Sequence, residues 1–483
     1  MKNENIVYNR AKLWQIGLFS LNNTATNIFL ALMFYVGYYA TGFVGLATVL
    51  ISNILTSMRI FDGITDPLIG YLIDRTEGKL GKFRPYIVTG YIIMVISTIL
   101  LFKVTHTLPE NIRLLFFLII YAIYIIGYTC QTAVTKAGQA CITNDPKQRP
   151  LFGAFDGTFT LLLFSCFLPV YVNGYLLPKY GNEFSLLLFN ELLFTFIAIS
   201  GVLTILSFIG IYQKDRKEFF GLGEKNAKLG FSDYIDIIIH NRAIQMLIIA
   251  ASTDKIASST ASNAAVGIMI YGIIMGDNTL QAKLGLITII PAFLLLQFFV
   301  QYARKLGIKK GLVVTAWGSM ISFSLIFFLL KFGDPTKIRL SNLFSFETLG
   351  FIILWCIGRG ISGAGGGLTI NAIADCADYE TYRTGKYIPG MMGTLFSFVD
   401  KLISSMATTI VGLVVAGIGY TKGFPKIGDP NTPQMFYAAT FLFLGMPVLG
   451  WIASIIALKF YPLSAEKMEE IQVHISSLKN SSQ

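Results

Sequence analysis

Apolar residues fill this chain in blocks of membrane-spanning length, near 13–40, 44–73, 86–104, 112–140, 150–177, 185–212, 243–275, 284–302, 311–331, 348–373, 388–418 and 434–460. A helix that crosses a bilayer needs about 20 mostly apolar residues. The pattern therefore predicts an all-α integral membrane protein with 12 transmembrane helices. One long polar interruption, 213–242, divides the spans six and six. The expected organisation is an N-terminal six-helix bundle over 1–212, a cytoplasmic central loop over 213–242, a C-terminal six-helix bundle over 243–460, and a cytoplasmic tail over 461–483, amphipathic at first and disordered at its end.

Composition rules out a soluble protein with a large core. Hydrophobic residues make up 54% of the chain, charged residues 13%, and the mean hydropathy is +0.63. Separate apolar runs of this length do not recur a dozen times in soluble domains. The first block is too long for a signal peptide and lacks a small-residue cleavage site, so it is expected to stay as the first span. The five cysteines (Cys130, Cys141, Cys166, Cys356, Cys376) lie in or at the ends of spans without a C-x-x-C pattern and read as packing residues.

Charge sets the orientation. With both termini in the cytoplasm, 25 of the 38 lysines and arginines fall in inner segments and 9 in outer loops, while Arg59, Lys255, Arg359 and Lys401 fall within spans. That asymmetry predicts a multi-pass protein of the cell membrane with both termini inside. The net charge of +11 then reflects topology and anionic headgroups, and no nucleic-acid partner is expected. No nucleotide loop, zinc-ligand spacing or nucleophile elbow is present, so neither an enzyme nor a cofactor is expected.

The second block carries the chemistry. In RIFDGITDPLIGYLIDRTEGKLGKFRPY (59–86), Arg59, Asp62 and Asp66 are spaced by three and four and share one helical face. A charge at the centre of a spanning helix costs roughly 2.5–3.5 kcal/mol on insertion scales, so such residues are usually kept for ion or proton handling. Two carboxylates on one face repel unless a cation, a proton or a basic side chain lies between them. Pro67 frees the Gly63 carbonyl and Thr65 adds a hydroxyl, and oxygen ligands of this kind suit a hard cation such as sodium. An acidic pair could equally carry a proton, and a structural charge network joining helices is the competing interpretation.

The halves repeat weakly: YLIDRTEGKLGKFRPY is echoed by QYARKLGIKKG, and ACITNDPKQR by AIADCADYETYRTGK. Two six-span repeats with a site near the midplane is the layout of a major-facilitator transporter. RIFDGITDP, GYLIDR and GKFRPY in the first half, with ADCADYETYRTG and Lys401 in the second, resemble the glycoside–pentoside–hexuronide cation symporters, the group of the melibiose permeases, over nearly the whole chain. The resemblance implies a major facilitator fold, a monomer, and a monovalent cation and a small polar solute as partners. It implies Asp62 and Asp66 as coupling-cation carboxylates, ligating Na+ if sodium is the ion, with Thr65 and Thr129 as further ligands and Lys401 facing them. It also implies Asp74, Arg75, Lys82 and Arg84 as an inner gating latch, with Asp375, Asp378 and Arg383 as the counterpart in the second half.

The substrate positions depart from the sugar-transporting members. Asn23 and Thr132 stand where those carry aspartates, an arginine of the fifth helix is replaced near Asp156–Gly157, and an aromatic of the tenth aligns with Gly366 in a flexible GAGGG run. The expected substrate-facing set is Asn23, Asn27, Arg59, Tyr128, Thr132, Asp156 and Lys401, with Asn22, Gln131, Asp254, Lys255 and Asn371 also near the cavity. Asn23 and Asn27, one turn apart, could read solute hydroxyls or serve as interhelical glue. The leading expectation is Na+- or H+-coupled symport of a sugar, glycoside, pentoside or uronide by alternating access. The alternatives are transport of an amphiphile such as a lysolipid, whose carriers share the D-x-x-x-D-P region, and a transporter-like sensor without net flux.

Overall fold

The computed structural model describes residues 9–76, 78, 80–143, 148–216, 237–384, 396, 398, 399 and 401–481. The side chains of Asp74 and Asn371, both singled out above, lie outside the described residues. The chain forms two compact units, Met1–Asn226 with Thr421–Phe424, and Ala227–Tyr420 with Pro425–Gln483.

The first unit contains α1 (Leu13–Val44), α2 (Thr48–Arg75), α3 (Arg84–Thr107), α4 (Glu110–Ala137), α5 (Arg149–Leu161, continuing in widened turns towards Lys179) and α6 (Leu186–Tyr212). The second contains α7 (Arg242–Ala261), α8 (Leu280–Leu306), α9 (Ile308–Phe332), α10 (Phe346–Thr384), α11 (Lys401–Gly417), α12 (Pro433–Lys459) and α13 (Ala465–Ser481). Among the described residues nine helices are long and apolar enough to cross a membrane, and α7 with the segment beyond its 56° bend makes ten. The other two of the predicted twelve are α2, whose charged residues lower its hydropathy, and α11, whose preceding residues are only partly described. The fold is that of a twelve-span major facilitator.

Lipid offers no hydrophobic drive for helices to associate, so close packing and buried hydrogen bonds must hold each bundle together. In the first unit the contact of α3 with α4 depends on two facing glycines. A Cβ on Gly90 would stand 2.9 Å from the Gly127 carbonyl oxygen, and one on Gly127 would stand 2.9 Å from that of Gly90. Polar side chains tie α1, α3 and α4 across the same region. Asn22 donates to the Gln131 carbonyl (3.0 Å) and to Thr135 Oγ1 (2.8 Å), Thr26 donates to Gln131 Oε1 (2.8 Å), and Gln131 Nε2 donates to the Ile87 carbonyl (3.0 Å).

In the second unit α7 packs on α12, and α10 packs on both α8 and α9. The GAGGG run expected to be flexible is helical throughout, inside the 39-residue α10. Two of its glycines serve close packing, since a Cβ on Gly363 would lie 2.7 Å from Leu296 of α8 and one on Gly365 3.1 Å from Thr315 of α9, whereas Gly366 has nothing within 4 Å. The tail also differs from expectation, because its end is helical to Ser481. Ile471 is fully buried there, and Glu470 accepts from Lys467 (2.6 Å) and from Tyr382 of α10 (3.0 Å). These two donors hold the Glu470 carboxyl below its ordinary range. Four of the five cysteines are buried and all are free thiols, as packing residues would be.

Replacing Gly127 by valine is expected to force α3 and α4 apart. Overpacking of this kind costs about 1–3 kcal/mol, so the purified protein should melt several degrees lower. An unchanged melting temperature would mean that the glycine contact does not carry the packing of these helices.

Candidate functional site

The carboxylates of α2 lie where α2 packs against α4. Asp62 is fully buried. Its Oδ2 lies 3.5 Å from the Arg59 guanidinium one turn earlier, and its Oδ1 accepts from Thr129 Oγ1 of α4 at 3.2 Å. Thr65, also buried, donates to the Asp62 carbonyl (3.0 Å), and its hydroxyl is 2.9 Å from that of Thr129. The Arg59 side chain keeps 37% of its surface exposed and hydrogen-bonds Tyr128 of α4. Asp66, one turn on, is half-buried. Five of the predicted residues, Arg59, Asp62, Thr65, Tyr128 and Thr129, are therefore brought together, with a cation, a carboxylate and three hydroxyls in contact. Thr132 stands one turn from Tyr128 on α4 and donates to the Thr129 carbonyl (3.2 Å).

The three asparagines of α1 divide by face. Asn22 is glue to α4, as described above. Asn23, half-buried, donates instead to Asp156 Oδ1 of α5 at 2.7 Å. Asn27 follows one turn later on the same face and is buried. Lys401 opens α11 in the second unit and is half-buried. In α7, Asp254 accepts a 3.4 Å bond from Ser454 of α12, and Lys255 is exposed.

With this geometry in place, the likeness to known proteins is specific. Residues 18–465 match the family model described as MFS/sugar transport protein. The chain belongs to that family. Among its relatives, the uncharacterized symporter YnaJ of Bacillus subtilis is 26% identical over 473 residues, covering 95% of this chain and 93% of that protein. The glucuronide carrier protein homolog of Escherichia coli is 22% identical over 468 residues, covering 95% of each. Among solved structures, the nucleoside transporter NupG superposes with a TM-score of 0.59 at 13% identity, over 94% of this chain and all of that one, which supports the fold alone. These relatives agree with the resemblance to the glycoside–pentoside–hexuronide symporters, and the protein is a multi-pass membrane transporter.

In this MFS/sugar transport protein two buried carboxylates outside the expected set lie beside the segments expected to gate, Asp215 against the loop that carries Lys82 and Arg84 and Glu380 beside Asp378 and Arg383. Asp215, fully buried just beyond α6, accepts from the backbone N–H groups of Lys82 (2.8 Å), Phe83 (3.0 Å) and Arg84 (2.9 Å). Arg84 is itself buried, with Nε 3.4 Å from the same carboxylate and its guanidinium 4.8 Å from the Tyr212 ring centre. Gly81, at φ +87°, turns the chain into this cradle where a Cβ would collide with Asp215. Lys82 and Arg84 thus anchor the loop between α2 and α3 to the end of α6. Arg75 is exposed at the end of α2. In the second unit the buried Glu380 accepts from Asn241 Nδ2 (2.8 Å) and from Arg383 (2.8 Å), so Arg383 has a partner other than the expected acids. Asp375 and Asp378 are half-buried on the same helix.

Removing the Asp215 carboxylate by substitution with alanine leaves three backbone donors and Arg84 without their acceptor. Breaking a buried charged contact of this kind costs about 3 kcal/mol or more. Limited proteolysis of the loop at 76–83 should accelerate markedly, and a variant as resistant as the wild type would contradict the anchoring role.

Proposed function

We propose that this protein is a secondary active transporter that couples inward movement of a monovalent cation to uptake of a sugar or glycoside by alternating access, with both termini in the cytoplasm. The observation that carries the proposal is the buried Asp62, inside a spanning helix and contacted by Arg59 and Thr129 at 3.5 and 3.2 Å. A carboxylate placed in a membrane span is tolerated when it is compensated. Arg59, shared with Tyr128, and the neutral Thr129 hydroxyl are among the groups that surround Asp62, and the charge balance of such a cluster responds to binding of one more positive charge.

Asp62 and Asp66 are the proposed coupling carboxylates, with Thr65 and Thr129 as neutral oxygen ligands suited to a hard cation. The relatives support the solute class, since one is named a symporter and another a glucuronide carrier. Arg59, partly exposed beside Tyr128, provides a guanidinium able to pair with an acidic solute group. A uronide is accordingly favoured over a neutral galactoside.

The test is uptake of a labelled glucuronide into proteoliposomes under a sodium gradient or a proton gradient alone, a comparison that also assigns the ion. Asp62→Asn should abolish accumulation while leaving the protein inserted and able to equilibrate solute. Thr129→Val should weaken the dependence on cation concentration by about tenfold, the loss expected for one hydrogen bond to a charged group. Gradient-driven accumulation by Asp62→Asn at the wild-type level would refute the coupling assignment.

A further inference from the structure

The cation cluster of the first unit leaves a basic residue of the second without a role. Arg359 lies within the apolar part of α10, about 20 Å along the axis from Phe346, where the helix begins. That is well inside a hydrocarbon core of about 30 Å. Its side chain is exposed at the surface of the unit. Among the described residues no acid lies within ion-pair distance of it and none accepts a hydrogen bond from its guanidinium; its neighbours are Trp355 and Tyr271.

Aromatic packing holds the guanidinium in place. Its carbon stands 5.6 Å from the centre of the Trp355 ring, one turn earlier on α10 and within cation–π range. Trp355 is itself clamped, stacked on Phe351 of the same helix (5.9 Å, 14°) and on Phe443 of α12 (5.3 Å, 13°). Phe443 in turn meets Tyr271 edge-on (6.0 Å, 82°), in the segment beyond the bend of α7, Ala264–Ile274. Tyr271 is buried and lies close enough to Arg359 to interact with its charge. Attraction to an aromatic face uses the charge of a guanidinium and none of its five N–H donors. The group is therefore oriented while its hydrogen-bonding capacity is unspent.

The other flanks of α10 are covered. A Cβ on Gly360 would stand 2.6 Å from Leu295 of α8, and one on Gly358 would stand 2.7 Å from Phe323 of α9. Gly366, two turns beyond Arg359 on the same face, is different, since a Cβ there would meet nothing within 4 Å. Arg359 and Gly366 thus share an open flank. A mid-span arginine with no acceptor is not tolerated against hydrocarbon, so this flank is one that admits water or a polar ligand. Its depth places it away from the phosphates of lipid headgroups, which lie outside the hydrocarbon core. Arg59 is in another position, because Asp62 and Tyr128 already hold it.

We infer that Arg359, oriented by Trp355, binds a carboxylate on the transported solute and makes the protein selective for anionic over neutral glycosides. A planar guanidinium can meet a carboxylate through two parallel hydrogen bonds, which a lysine cannot reproduce. The inference rests on the proposed uptake of a sugar or glycoside. It adds a specificity-determining residue in the second unit, on a helix separate from the cation cluster.

The experiment measures binding of methyl β-D-glucuronide and methyl β-D-glucoside, which differ only in carboxylate against hydroxymethyl, to the reconstituted wild type and to Arg359→Gln and Arg359→Lys. The wild type should prefer the glucuronide. Arg359→Gln should lose at least about tenfold in glucuronide affinity, the loss expected for a hydrogen bond to a charged group, and with it the preference over the glucoside. Arg359→Lys, which keeps the charge without the fork, should lose less. The ratio of the two affinities is the readout, because damage to the fold would weaken both glycosides together. Equal losses for both in Arg359→Gln would overturn the inference in favour of a packing role for the arginine. Unaltered glucuronide affinity in Arg359→Gln, or a wild type that binds the glucoside at least as tightly, would overturn it and leave the proposed uptake of glycosides standing. Failure of the wild type to bind either glycoside would overturn it together with the sugar reading on which it rests.

Discussion

Everything proposed for this transporter depends on how one carboxylate survives inside a spanning helix. Asp62 has no access to water and would be expelled from the bilayer core if left alone. Arg59 on the preceding turn supplies the opposite charge, and Thr129 supplies a donor from α4. The cost is offset only while α2 and α4 stay in register, so the coupling chemistry and the packing of the bundle are the same problem. A structural ion pair would show the same contacts. The proposed coupling role adds the second acid, Asp66, one turn away on the same helix and half-buried.

The scaffold that maintains this register is built without a hydrophobic driving force between helices. Gly90 and Gly127 let the backbones of α3 and α4 approach within contact distance, and Gln131 bonds to α1 through Thr26 and to α3 through the Ile87 carbonyl. Buried amides and hydroxyls in lipid have few alternatives, so such bonds fix which helix faces meet. At the helix ends a different device appears. Asp215 gathers three backbone N–H groups and Arg84, and Glu380 gathers Asn241 and Arg383. Asp215 ties a loop to a helix end, and Glu380 ties α10 to the N-cap of α7.

The spans and the spacing of Arg59, Asp62 and Asp66 along α2 were legible in the sequence because hydropathy and helical periodicity are local properties. Asp215 was not, since an acid at a span end among basic residues has the sequence look of an ordinary interfacial charge, and Glu380 was passed over beside Asp375 and Asp378 in the same motif. Asp215 binds residues more than 130 positions away, and Glu380 pairs with Asn241 139 positions away as well as with Arg383 on its own helix. The roles of Asn22, Asn23 and Asn27 were ambiguous for a related reason. Spacing places Asn23 and Asn27 on one face of α1 and Asn22 on the next, but which helix covers each face is decided by the tertiary packing. The GAGGG run misled because glycine signals flexibility in water, whereas between membrane helices it signals close approach.

Coupling is reciprocal by thermodynamic necessity: if the cation strengthens solute binding, the solute must strengthen cation binding by the same factor. The most direct measurement therefore reverses the usual assay. Proteoliposomes are loaded with no ion gradient, a glucuronide gradient is imposed, and the movement of sodium and of protons is followed. The account predicts cation flux in the direction of the solute, abolished when the Asp62 carboxylate is neutralised. Solute that runs down its gradient without moving either ion would contradict it.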